Sequence, residues 1–229
     1  MIAQRIDLHT HTLFSDGELL PSEIVHRAAK LGYSAIALTD HADASNVEQI
    51  LAQLRQFLRE QAGDFPITVI PGVELTHVAP ARIAPLARRA RELGAALVVV
   101  HGETIVEPVE PGTDRAAVEC TDVDILAHPG FITLEEARLA VQNGIVLEIS
   151  ARKGHSLTNG HVAMIARAAG ASLVVNTDTH APGDMMDQTF ARAVARGAGL
   201  NDAEVEAALV TNARALVERA RKRLGENSR

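Results

Sequence analysis

Two histidines one residue apart sit in the stretch Asp7-Leu8-His9-Thr10-His11-Thr12-Leu13-Phe14-Ser15-Asp16-Gly17. On an extended strand side chains alternate, so Asp7, His9 and His11 share one face while Leu8 points to the other. Two imidazoles on one face, with the Asp16 carboxylate close behind, are half of a metal site supplied by one segment. Residues of the same types recur down the chain: Asp40-His41, Glu74, His101, His128, the group Arg152, Lys153 and His155, and finally Asp178 and His180.

The elements that must position them follow from the apolar pattern. Runs at 6–8, 34–39, 67–70, 96–100, 123–127, 145–149 and 172–175 read as strands, the third stopped by Pro71-Gly72. The run at 96–100 is apolar throughout, as in a parallel sheet buried on both faces. Between the runs lie amphipathic helices. One is opened by Pro21 and closed by Gly32, one carries the stripe Val47, Ile50, Leu51, Leu54, Leu58, and one holds Ile83, Leu86, Ala90 and Leu93 with Pro85 in its first turn. Thr133 with Glu136, and Asn201 with Glu204, have capping-box spacing. Residues 225–229 read as a frayed end. This alternation predicts one α/β domain over 1–229, of barrel size, with a parallel sheet. Every expected strand delivers one of the chemical residues at its C-terminal end, and in a parallel barrel those ends gather on one face.

Composition narrows the classes. Hydrophobic residues make up 47% of the 229, enough for a sizeable core. The net charge of −7, with no basic tract outside 219–223, argues against long nucleic acid as the main partner. A single cysteine, Cys120, rules out an intrachain disulfide and any Cys-based zinc motif. No signal-peptide core or membrane-length apolar run is present, so the chain reads as soluble and cytoplasmic, with no membrane partner. Other titratable residues have plainer readings. His26 and His161 lie in helical segments as surface or packing residues. His77 either lines the site or caps its loop, and Glu103 and Glu107 read as solvated loop carboxylates, with holding water or substrate as the alternative. Asp7 and Asp40 are carboxylates that orient imidazoles, or ligands themselves.

Five ordered motifs carry a resemblance: Asp7-Leu8-His9-Thr10-His11-Thr12 with Ser15-Asp16-Gly17, then Leu38-Thr39-Asp40-His41, Pro71-Gly72-Val73-Glu74, Ala127-His128-Pro129-Gly130, and Asn176-Thr177-Asp178-Thr179-His180. From Asp7 through His180 the chain resembles the PHP (polymerase and histidinol phosphatase) superfamily. The resemblance implies a distorted, TIM-like (β/α)7 barrel with a trinuclear metal site. It implies that His9, His11, Glu74 and Asp178 hold one ion, that Glu74 bridges to a second completed by His101 and His128, and that Asp16, His41 and His180 hold a third. No ligand position of the pattern is missing.

Three divalent ions against the carboxylates of Asp16, Glu74 and Asp178 leave positive charge that suits a phosphate ester and a hydroxide. Nitrogen and oxygen ligands without sulfur admit zinc, manganese or iron. Arg152 and Lys153, with His155, stand where phosphoryl oxygens would be contacted. The expected activity is metal-assisted hydrolysis of a small phosphorylated substrate by a metal-bridging hydroxide. Glu74, Asp178, His180 and Arg152 are its catalytic residues, and the phosphomonoesterase is of the histidinol-phosphatase-like type. Two alternatives remain open: a phosphodiesterase or nuclease acting on nucleotides or short nucleic acids, and a non-catalytic, metal-stabilised assembly module. A homo-oligomer is also open.

Overall fold

The computed structural model describes residues 4–226. In chain order the elements are β1 (Arg5–Asp7), α1 (Pro21–Lys30), β2 (Tyr33–Leu38), β3 (His41–Ala42), α2 (Val47–Gln61), β4 (Thr68–Leu75), α3 (Pro80–Glu92), β5 (Leu97–His101), α4 (Thr113–Glu119), β6 (Ile125–Ala127), α5 (Leu134–Asn143), β7 (Val146–Ser150), α6 (Asn159–Ala169), β8 (Leu173–Asn176), α7 (Gln188–Gly197), α8 (Asp202–Glu206) and α9 (Asn212–Glu226). Seven parallel strands run in the order β1-β2-β4-β5-β6-β7-β8, and the two-residue β3 pairs with β4. The result is a nearly closed, distorted (β/α)7 barrel.

Side-chain alternation splits the apolar residues into two cores. Outward residues such as Ile36, Leu38, Val98, Val100, Leu147 and Ile149 pack against the helices. Inward residues such as Ile6, Leu8, Ala35, Ala37, Val99 and Ile125 fill the barrel, together with Ala213, Leu216, Val217 and Ala220 of α9. That helix therefore closes the N-terminal mouth. The fully buried carboxylate of Asp124 holds it there, accepting from Arg223 at 2.9 Å and Arg219 at 3.4 Å of α9, and from Arg91 of α3 at 2.5 Å.

The seam between β1 and β8 is closed at its C-terminal end by the segments that carry the chemical residues. Thr10 and Thr179 form a parallel bridge, His11 N donates to the Thr179 carbonyl (2.8 Å), and Asp178 N donates to that of His9 (3.0 Å).

Three expectations change. The third strand does not stop at Pro71-Gly72, because β4 changes partners there: Pro71 pairs with Leu38 of β2, and Gly72 pairs with Leu97 of β5. The Pro71 carbonyl still accepts from Ala96 N (2.9 Å), and a Cβ on Gly72 would lie 2.8 Å from the Leu97 carbonyl oxygen. Glu74 is consequently inside a strand. In α3, Pro80 takes the first position and Pro85 lies within the helix. At the C-terminus, Gly225 and Glu226 continue α9, while the rest of the expected frayed end lies outside the described residues. Both capping boxes form, at Thr133–Glu136 and Asn201–Glu204.

Candidate metal centre

All nine expected ligands converge at the C-terminal end of the barrel, with their imidazole and carboxylate atoms within a few ångströms of one another. His9 Nε2 lies 3.3 Å from Glu74 Oε1 and 3.7 Å from Asp178 Oδ1, and His11 Nε2 lies 3.1 Å from Asp178 Oδ1. None of these four atoms has a hydrogen-bond partner, although each is buried. An unpartnered polar atom in a dry interior costs about 1–3 kcal/mol. Four of them facing one point are the donor set a divalent cation requires, so the residues fit a metal.

A second group forms beside it. His128 Nε2 is 3.6 Å from Glu74 Oε1, and the His101 and His128 rings stand edge to face with centroids 4.5 Å apart. A third joins His11, Asp16, His41 and His180: Asp16 Oδ1 is 3.3 Å from His180 Nε2 and 3.6 Å from His41 Nε2.

The protonation pattern follows from burial and neighbours. Burial opposes charge on His9, but Glu148, Glu74 and Asp178 outweigh it and hold its pKa well above the ordinary value. Glu74 is held well below the usual carboxylate range, His9 and His41 overcoming burial. Burial lowers His11 and His128 strongly, with neighbouring imidazoles adding to it and Glu74 opposing it. Burial also pushes Asp178 up, to about 7. Two of the backbone positions that carry these groups are left-handed, His128 at φ 28° and Asp178 at φ 54°. Residues in that sparsely allowed region cluster at functional sites.

The remaining expected residues divide. Arg152 lines the cleft above the centre, donating to His180 Nδ1 (2.7 Å) and to the Asp178 carbonyl (3.2 Å). Lys153 is exposed and does not line that cleft, whereas His155 is buried in the cluster with His101 and His128. Asp7 and Asp40 make no hydrogen bond to an imidazole. Asp7 joins Arg5 to the backbone of Thr177, and Asp40 holds the loop that carries Asp16 by accepting from Thr12 and Ser15. His77 faces the cleft mouth, so its lining role prevails. His26 packs edge-on to Phe65, and His161 donates to the Ile132 carbonyl.

Two carboxylates that sequence reading did not place in the site belong there. Glu148 of β7 accepts from His9 Nδ1 at 2.8 Å, fixing that ring with Nε2 turned inward. A lone carboxylate in the apolar run Val146-Leu147-Glu148-Ile149 was the available signal, since such residues are rarely buried unless paired. Glu107 is not a solvated loop carboxylate. It turns in over the centre, 2.9 Å from His101 Nε2 and 3.4 Å from His155 Nε2, and the His101 contact draws its pKa down to about 2. Glu103 instead caps α4 by accepting from Gly112 N and Asp114 N.

A parallel β/α barrel with clustered histidines and carboxylates at its C-terminal mouth can hold metal ions on the face where such barrels carry their active sites. Residues 7–155 match the PHP domain, and the chain belongs to that family of metal-dependent phosphoesterases. It is 50% identical over 218 residues to the uncharacterized protein MJ1295 of Methanocaldococcus jannaschii, covering 94% of this chain and 99% of that one. It is 26% identical to ribonuclease P protein component 3 of Methanosarcina barkeri, over 90% of this chain and 86% of the relative. Among solved structures, a chain of archaeal ribonuclease P with mature tRNA superposes with TM-score 0.64 at 17% identity, covering 96% and 89% of the two chains. The histidinol phosphate phosphatase of Lactococcus lactis superposes with TM-score 0.59 at 16% identity, covering 86% and 95%. These two superpositions establish the fold.

Proposed function

We propose that this protein hydrolyses small phosphate esters, phosphomonoesters foremost, at an ion cluster held by the nine convergent residues. The observation that carries the reading is the set of buried, unpartnered atoms of His9, His11, Glu74 and Asp178 facing one another beneath an open cleft. In this reading His9, His11, Glu74 and Asp178 hold one ion, Glu74 is shared with a second bound by His101 and His128, and Asp16, His41 and His180 hold a third. Zinc, manganese and iron all suit the donor set. Bound ions would supply Lewis acidity and a water deprotonated near neutral pH.

The chain's own residues do the rest. Arg152, 30% exposed at the rim, offers its guanidinium to phosphoryl oxygens and stabilises the charge that grows there. Glu148 and the Gly102 carbonyl fix the rings of His9 and His101 so that Nε2 faces the centre in each. The cleft of about 230 Å³ has room for a phosphoryl group with a small alcohol.

The test is turnover of 4-nitrophenyl phosphate and of its bis ester by ion-loaded protein, beside His9→Ala and Glu74→Ala. Monoester hydrolysis at least ten times faster than in either variant is the expected result. Absence of turnover above the variants overturns the reading, and preference for the bis ester moves it to a phosphodiesterase.

A second reading has its own support, the similarity to ribonuclease P protein component 3 along 90% of the chain. It makes the barrel an assembly module in an RNA-processing complex. That similarity runs against the expectation, drawn from net charge, which counted against long nucleic acid as a partner: contact through another subunit needs no basic surface on this one. Copurification with RNA and partner proteins, with no phosphatase activity in the ion-loaded chain, would establish it.

A further inference from the structure

Two imidazoles near the centre lie outside the nine expected positions, His77 at the exposed mouth and His155 buried within. His155 opens the short turn after β7 and is 3% exposed. Its ring stacks on His128 with centroids 4.1 Å apart and planes at 14°, and stands perpendicular to His101 at 5.9 Å. His101, His128 and His155 each offer a ring nitrogen, all within 4.8 Å of one another. Nitrogens bound to one ion at about 2.1 Å can lie at most about 4.2 Å apart. Three nitrogens around one tetrahedral ion lie about 3.4 Å apart, so the trio shares an ion after a contraction of at most about 1.4 Å, within reach of side-chain adjustment.

The ring is also oriented as a ligand is. Its Nδ1 is 2.8 Å from Thr104 Oγ1. With the proton on Nδ1 donated to that hydroxyl oxygen, the lone pair of Nε2 is left facing inward, 3.8 Å from Asp178 Oδ2. His9 is held in the same way by Glu148, and His101 by the Gly102 carbonyl. A hydrogen bond at one ring nitrogen that fixes the other for a metal is the usual support of a ligating histidine. His155 also lines the cleft, but with 3% of its surface exposed it offers a substrate little to touch.

We propose that His155 is a metal ligand, joining Glu74, His101 and His128 around the second ion, with Thr104 as the residue that sets its tautomer. This rests on the reading of the centre as an ion cluster. The Glu107 carboxylate, which spans His101 Nε2 and His155 Nε2, marks the open side of that ion where a substrate anion would enter.

The experiment compares full-length wild type with His155→Ala and Thr104→Val. Ion content is measured by elemental analysis after dialysis, affinity by titration of metal-free protein with Zn²⁺, and the ligand field by visible absorption of the Co²⁺ form. Wild type is expected to keep its ions. His155→Ala should lose one ion per chain or bind it at least tenfold more weakly, with an altered Co²⁺ spectrum and the other ions unchanged. Thr104→Val, which keeps the ring and the buried volume, should weaken the same ion by about tenfold. Unchanged ion content, affinity and spectrum in folded His155→Ala overturn the proposal. If that variant does not fold, unchanged values in Thr104→Val overturn it. Wild type that binds no ion at all fails the cluster reading itself, a separate result.

Discussion

Glu148 shows how much of a site rests on a residue that touches no substrate. Its Oε2 accepts from both His9 Nδ1 and Asn176 Nδ2, at 2.8 Å each, so one carboxylate orients a ligand and ties β7 to β8. Glu148→Gln should keep the fold and weaken ion binding by about 10–100-fold, read by titration of the metal-free protein. Protonation gives a second handle. Asp178, pushed up to about 7 by burial, and His9, held high by its carboxylate neighbours, must shed protons before an ion can take their place. Ion binding should therefore release protons and weaken as pH falls through about 7, which titrations in buffers of different ionisation heat would measure. An affinity that does not change between pH 6 and 8 would contradict that account. At this scale the nine expected residues were marked in the sequence, eight by the motifs and His101 by its place at the end of a strand, although Glu74 lies inside β4. Glu107 and Glu148 were not: one reaches the centre by the path of its loop and the other from inside a strand, and neither leaves a spacing in the sequence.

At the scale of elements, α9 acts as the floor of the barrel. Asp124 is fully buried beneath it with three arginines around it, and its Oδ2 also accepts from Val98 N. Removing one partner of a buried charge cluster leaves the others uncompensated, so Asp124→Ala should cost about 3 kcal/mol, measured by urea unfolding. A loss below a few tenths would mean that α9 is held by its apolar face alone. Alternation made six of the strands readable to within a residue or two and located most of the helices, although α3 begins a turn before the Pro85 reading and α7 was not marked. The length of β4 was not readable, because Pro71 and Gly72 are stop signals only for a strand that keeps the same neighbour throughout. The loop of residues 102–112 was hidden for a related reason. Gly130, at φ 53°, brings the turn after β6 so close that a Cβ there would lie 1.9 Å from the Glu103 carbonyl oxygen. That long-range contact, which no local pattern encodes, shapes the loop that turns Glu107 over the centre.

The whole molecule is a ring whose first and last strands meet at the chemistry. His9 and Asp178 are joined by a backbone hydrogen bond, and Leu8 N donates to Asn176 Oδ1 across 168 positions of sequence. This arrangement has a consequence for the chain's birth. As the chain leaves the ribosome, His9 and His11 emerge well before Asp178 and His180, which follow β8. At roughly 5–20 residues per second, that gap lasts on the order of ten to thirty seconds. Until β8 emerges, the nascent chain has imidazoles able to seize any passing cation but no cage to select among them. If the cluster holds ions as proposed, their selection waits until the ring closes.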